Sequence, residues 1–286
     1  MTRSPAIEQA IFVRDKQGIV QERGASDGLA SATTSDWRAE ATALCVKFGE
    51  PSEGIACPIA VFAQPVSWDG VAVVQAADLP DGRFCFRMLF VPRRLYLDFI
   101  RNPFTVSDRF PPDWSAQGPL PALTWPEEPP VRRTVAQLQK VLETGGSPTL
   151  LGAVQALVDG GRVVFERVAP ASQLIRDIWQ LLPSSVQGEL WPATFAFSND
   201  LRFDLLVVPK IEGLDLDRYA TEERAVDYPE GRYEFGLQYA IEHGDQVEVD
   251  RLLNRRSGKQ FLRTAVFVLV FGMLAYLGVH LLFRFL

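Results

Sequence analysis

Twenty consecutive residues near the C-terminal end, Thr264 to Phe283 (TAVFVLVFGMLAYLGVHLLF), contain no Asp, Glu, Lys or Arg. A helix of that length is about 30 Å long at roughly 1.5 Å per residue, which matches the hydrocarbon thickness of a bilayer. A helix buried in a globular core keeps a polar stripe over such a distance, so the run predicts a transmembrane segment. Its place at the end of the chain predicts a tail anchor that meets the lipid bilayer through residues 264–283.

The charge pattern gives the expected orientation. Residues 251–286 hold six of the 29 Lys and Arg residues and none of the 35 Asp and Glu residues. Arg251, Arg255, Arg256, Lys259 and Arg263 precede the apolar run, and only Arg284 follows it. Cationic flanks stay on the cytoplasmic side. The expectation is a single-pass protein of the inner (cytoplasmic) membrane with its N-terminal domain in the cytoplasm. The opening residues, MTRSPAIEQAIFVRDK, lack the apolar h-region of a signal peptide. The acidic excess of the first 250 residues repels phosphate backbones and disfavours nucleic acid as a partner. Cys45, Cys57 and Cys85 form no C-x-x-C pair and read as reduced core thiols.

A hydrophobic content of 47% with 11% aromatics supports a packed core. Residues 1–101 read as a β-rich half. Strands are predicted at Gln9–Val13, Leu44–Phe48, Ile59–Gln64, Val71–Ala76 and Arg83–Val91, where β-branched and aromatic residues cluster. Leu79-Pro80-Asp81-Gly82 predicts the turn joining the last two, because Pro fixes φ and Gly accepts a positive one. Residues 102–130 contain eight prolines and predict an ordered loop, since Pro blocks helix interiors and central strands. The aromatic side chains of that loop, Phe104, Phe110, Trp114 and Trp125, are the candidate partner-binding surface.

Residues 131–215 read as an α/β half, of the same domain or of a second one. Helices are predicted at Thr134–Glu143, Pro148–Val158 and Ala171–Leu182, with a strand at Val163–Val168. Ala193–Ser198 and Phe203–Pro209 are predicted as paired strands around an Asn199-Asp200 turn. Residues 216–262 are predicted as a helical linker, with helices at Leu216–Ala225 and Tyr233–Arg251, and 263–286 as the transmembrane anchor. The expected class is therefore α+β, a sheet-rich N-terminal half and an α/β C-terminal half, plus one C-terminal transmembrane helix.

No reactive constellation is visible. His243 is the one histidine outside the apolar run, so a Cys–His dyad would have only that imidazole to use. Its place before Gly244 reads as a helix C-terminus, where a cation is favoured. Asp215-x-Asp217 has the oxygen chemistry of a Mg²⁺ site but the ordinary pattern of a helix N-cap or loop. Ser257-Gly258-Lys259 lacks the glycine-rich loop and hydroxyl of a P-loop. No catalytic residue, metal or cofactor is assigned, and the chain is expected not to be an enzyme. Gly272, Ala275 and Gly278 form a small-residue strip suited to weak self-association. The competing expectation is a membrane-anchored hydrolase with an acid–base set such as Asp204, Glu166 and Cys85, assembled by folding.

IEQAIF (Ile7–Phe12), NPFTVSDRFPPDW (Asn102–Trp114) and IWQLLPSSVQGELWPATFAFSNDLRFDLLVVP (Ile178–Pro209) occur in a familiar order. Together they resemble the N-terminal domain of bacterial GTPase-associated proteins, often called GTPase-associated protein 1, over roughly residues 6–210. Phe197-Ser198-Asn199-Asp200 stands where that family has F-S-T. The resemblance implies an accessory protein working beside a GTPase or related NTPase in a bacterial signalling or conflict system. It carries over no catalytic residue. The function expected is thus a membrane-tethered cytosolic adaptor that binds a protein partner, a GTPase or other NTPase.

Overall fold

A computed structural model describes residues 6–30, 36–52, 54–126, 128–212, 218–255 and 273. The alternation in AIEQAIFVR builds β1 (Ala6–Arg14), with Ala10 and Phe12 on one face and Gln9, Ile11 and Val13 on the other. It pairs antiparallel with β2 (Val20–Ser26) and with β5 (Phe84–Pro92), Phe12 opposite Phe86 and Ile11 opposite Arg87. β3 (Ala60–Val66) and β4 (Gly70–Asp78) extend this antiparallel part. The β4–β5 hairpin closes where predicted: the Leu79 N–H donates to the Arg83 carbonyl at 2.8 Å, and Gly82 takes a φ of 79°.

After β2 come α1 (Asp27–Ala30) and α2 (Trp37–Lys47). The strand expected at Leu44–Phe48 is corrected to the end of α2. Asp36 caps that helix by accepting the Ala39 N–H at 3.2 Å. Trp37, Ala41, Leu44, Cys45 and Phe48 recur at helical spacing and are buried, whereas Val46, which a strand would turn inward beside Leu44, is 54% exposed. Trp37 meets Phe12 and Phe90 edge-on at 6.2 and 6.3 Å, and Phe48 stacks on Phe62 at 5.3 Å.

β5 leads into α3 (Arg93–Leu95) and one π-helical turn, Tyr96–Ile100, which ends on Arg101 with a φ of 52°. A helix then forms inside the segment expected to exclude one. α4 (Pro103–Arg109) is capped by Asn102, which accepts the Phe104 N–H at 3.0 Å. Pro103 stands in its first turn, where a missing N–H breaks no helical bond. β6 (Gly118–Leu120) then pairs parallel with β2, and β7 (Leu123–Thr124) pairs antiparallel with the start of β1.

α5 (Val135–Gly145) opens with a capping box between Thr134 and Gln137. It is followed by α6 (Ser147–Val158), β8 (Arg162–Glu166), α7 (Ser172–Leu181), α8 (Ser184–Gln187), β9 (Pro192–Ala193) and β10 (Leu205–Val208). The hairpin expected from Ala193–Ser198 and Phe203–Pro209 does not form. β9 and β10 run parallel, Leu205 opposite Pro192, because the chain beyond Thr194 turns to Phe48, whose carbonyl accepts the Phe197 N–H at 2.9 Å. β11 (Tyr219–Thr221) and α9 (Glu222–Val226) stand where one helix was expected. The helix expected across Tyr233–Arg251 is two, α10 (Arg232–Glu242) and α11 (Gln246–Leu253), broken at Gly244 with a φ of 68°.

The eleven strands among the described residues form one sheet in the order β11-β8-β10-β9-β3-β4-β5-β1-β2-β6, with β7 beside β1. The antiparallel part from β3 to β2 meets the parallel part from β9 to β11 where Phe62 faces Ala193. The α+β class expected with a terminal membrane helix is thereby corrected to a mixed α/β structure on one large mixed sheet. Buried residues from both halves, among them Phe62, Phe86, Phe165, Phe195 and Leu206, belong to one core. No helix among the described residues is long and apolar enough to cross a membrane. Apart from Met273, the expected anchor lies outside the described residues.

Candidate partner-binding surface

The four aromatic residues singled out in the proline-rich segment turn toward the protein. Phe104 and Trp125 are buried, and Phe110 and Trp114 are half-buried. Phe104 meets Trp179 edge-on at 6.0 Å, Phe110 meets Trp125 at 6.1 Å, and Trp114 packs on Ile11, Val13, Cys85 and Leu120. A polar network on the sheet explains this. Arg87 donates to Gln9 Oε1 at 2.7 and 3.0 Å, and to the Phe110 and Pro111 carbonyls at 2.8 and 2.7 Å. Gln75 Nε2 donates to Ser107 Oγ at 2.9 Å and to the Phe110 carbonyl at 3.0 Å. A buried guanidinium requires such partners, and these fasten the segment to the sheet. Burial draws the Arg87 pKa down, with Asp113 opposing.

The acid–base set weighed from sequence is not assembled. Glu166, at the end of β8, accepts the Ile211 N–H at 2.8 Å. Asp204 pairs with Arg162 at 3.2 Å, at the other end of β8. With Val208 opposite Glu166 and Leu205 opposite Val163, the two positions are about 13 Å apart along the strands. Cys85 lies four strands from β10, about 19 Å away. Its thiol is buried, and burial pushes its pKa up to about 11. Among the described residues, no group of three or more His, Cys, Asp and Glu is placed to hold a metal ion. Asp215 and Asp217 lie outside the described residues.

Of the five basic residues read as orienting the anchor, Arg251 pairs with Glu248 at 2.5 Å. The Arg255 guanidinium lies 5.4 Å over the Tyr233 ring, and its carbonyl accepts the Ser185 hydroxyl at 2.7 Å. Arg256, Lys259 and Arg263, with Gly272, Ala275 and Gly278, lie outside the described residues.

The exposed aromatic surface lies elsewhere, on α10. Tyr233, Leu237, Ala240 and Ile241 face inward. Phe235, 65% exposed, and Tyr239, 55% exposed, point outward together with His243, each four residues from the next. One face of the helix therefore carries a ladder of rings. Phe235 and Tyr239 are 6.5 Å apart at 22°, and Tyr239 and His243 are 3.9 Å apart at 27°. His243 is the C-cap, with Nδ1 2.9 Å from the Tyr239 carbonyl. Val247, four residues further on, is 79% exposed. Glu242 and Asp245 are exposed around the ladder, and Glu234, whose carboxyl pKa burial raises, lies beside Phe235 in the chain. The spacing of 235, 239 and 243 opposite an aliphatic stripe is the sequence signal that would have found it.

A groove of about 610 Å³ opens between the π-turn and α4 on one side and residues 125–126, 128–133 and α11 on the other. Arg101, Arg109, Trp125, Val131, Arg133 and Leu253 are among its lining residues. Arg133 caps the carbonyl end of α7, donating to the Gln180 and Leu182 carbonyls at 2.8 and 2.6 Å and to Ser184 Oγ at 2.9 Å. Burial draws the Arg133 pKa down, and the neighbouring Arg101 cation adds to that against Tyr233. No known protein family matches the chain, and no curated protein matches it either.

Proposed function

We propose that this chain is a non-catalytic accessory module that binds a protein partner through the ring ladder of Phe235, Tyr239 and His243. The exposed stack on α10 carries the reading. Two large aromatic side chains and Val247 in water have no role in the molecule's own core, and such residues dominate the energetics of protein interfaces. The surrounding carboxylates select a partner with a basic rim. The sequence resemblance to GTPase-associated proteins supports a GTPase or other NTPase as the partner class.

The test is capture from bacterial extract by the wild-type chain and by a Phe235→Ala/Tyr239→Ala variant, with bound proteins identified and assayed for nucleotide hydrolysis. A nucleotide-hydrolysing protein retained by the wild type and lost by the variant is the expected result. Equal capture by both chains would rule out the ladder, and repeated capture without any NTPase would remove that partner class.

A further inference from the structure

We propose that the arginine-lined groove between α4 and residues 128–133 is a second binding site, taking an extended acidic peptide segment of a partner protein. Its charges are unbalanced. Arg101 and Arg109 have no carboxylate partner among the described residues: Arg101 Nε donates to the Leu97 carbonyl at 2.5 Å, and Arg109 lies 5.2 Å over the Trp125 ring. Arg133, whose partners are two carbonyls and the Ser184 hydroxyl, adds a third positive charge to the wall. Two of the three carboxylates on the rim are committed, Asp98 to Arg94 at 3.5 Å and Asp250 to Arg132, which leaves Glu128. Guanidinium groups with free donors recognise carboxylates bidentately.

The backbone supplies an independent argument. Arg101 holds a left-handed conformation, φ 52°, at the end of a π-helical turn. Glycine takes that conformation at no steric cost, and a side chain there is kept against strain. The Trp179 indole N–H fixes the strained residue by donating to its carbonyl at 3.1 Å. Besides the cations, the lining carries apolar side chains, Val131 at 87% exposure with Trp125 and Leu253 largely buried, among polar ones such as Asn102 and Gln137. A compact ion would leave that ground uncovered. An extended segment alternating carboxylates with an aliphatic side chain covers both.

The full chain is titrated into a fluorescein-labelled Glu-Glu-Leu-Glu-Glu peptide, read by fluorescence anisotropy at two salt concentrations. Saturable binding that weakens with salt is expected, with a loss of about tenfold or more in Arg101→Gly and in Arg109→Gln. Arg101→Gly keeps the wild-type thermal midpoint because it relieves the backbone, so its lost binding is not lost folding. Arg38→Gln, remote from the groove, and Phe235→Ala/Tyr239→Ala bind as the wild type does, which keeps this result separable from partner capture by the ladder. Absence of saturable binding, undiminished binding by Arg101→Gly, or displacement by inorganic phosphate at the peptide's own affinity would each overturn the proposal.

Discussion

Val61 and Thr194 hold each other by two hydrogen bonds. The Val61 N–H donates to Thr194 Oγ1 at 2.8 Å, and the Thr194 N–H donates to the Val61 carbonyl at 2.9 Å. Both residues are buried, and they sit where the antiparallel and parallel parts of the sheet meet. Thr194→Val keeps the shape and orphans the Val61 N–H, a desolvation cost of about 2 kcal/mol. Urea unfolding followed by Trp fluorescence and by circular dichroism should show one shifted transition common to both probes.

Gly152 on α6 passes so close to α9 that a Cβ would lie 1.8 Å from the Ala225 carbonyl oxygen. Gly152→Ala should therefore destabilise by about 3 kcal/mol despite alanine's better helix propensity. Gly236 on α10 is the control. A Cβ there meets Leu252 at an ordinary 3.6 Å, so Gly236→Ala should stabilise by about 0.5–1 kcal/mol. Thermal unfolding of the pair reads both signs.

Asp177 is buried on α7 and accepts Gln173 Nε2 at 2.7 Å; burial raises its pKa against that bond. A carboxyl whose folded pKa is raised favours folding when protonated, and that contribution is lost as pH rises through the folded value. Asp177→Asn should be more stable than the wild type at pH 7. The difference should vanish below the ordinary aspartate range, in denaturant midpoints measured from pH 3 to pH 7.

Arg167 and Glu222 form a two-pronged ion pair, both contacts 2.7 Å, tying the end of β8 to the start of α9. Hydrogen bonds from Arg167 hold the Glu222 carboxyl below its usual pKa, with burial opposing. The sign is the reverse of that at Asp177: the stabilisation is present above the ordinary glutamate range and lost as pH falls through the folded value. Both side chains are partly exposed, so Glu222→Gln should cost less than about 1 kcal/mol at pH 7. At pH 2 its urea midpoint should coincide with that of the wild type.

Much of the antiparallel part was legible because its strands cluster β-branched and aromatic residues and its hairpin turn has obligatory chemistry. Residues 44–48 misled because Leu44, Val46 and Phe48 also satisfy a strand period; the cap at Asp36 and the ring at Trp37, earlier in the chain, decide for a helix. The parallel pairing of β9 and β10 depends on Val61 and Phe48, more than 130 residues away, and no local pattern carries that. The aromatic residues of the proline-rich segment were read as a partner surface, yet their direction is set by Arg87 and Gln75, whose burial no spacing reveals. The ladder on α10 was visible as a period of four and was masked by reading 233–251 as one helix.

Both rims of the sheet are three residues long, β11 on one side and β6 on the other, and Pro119 in β6 has no N–H to offer. A ligand trying to extend the sheet would find too few rungs to grip, and copies of the molecule have no flat margin along which to zip together. Recognition must then be read from side chains. Its specificity should yield to single substitutions and be indifferent to generic strand-forming peptides.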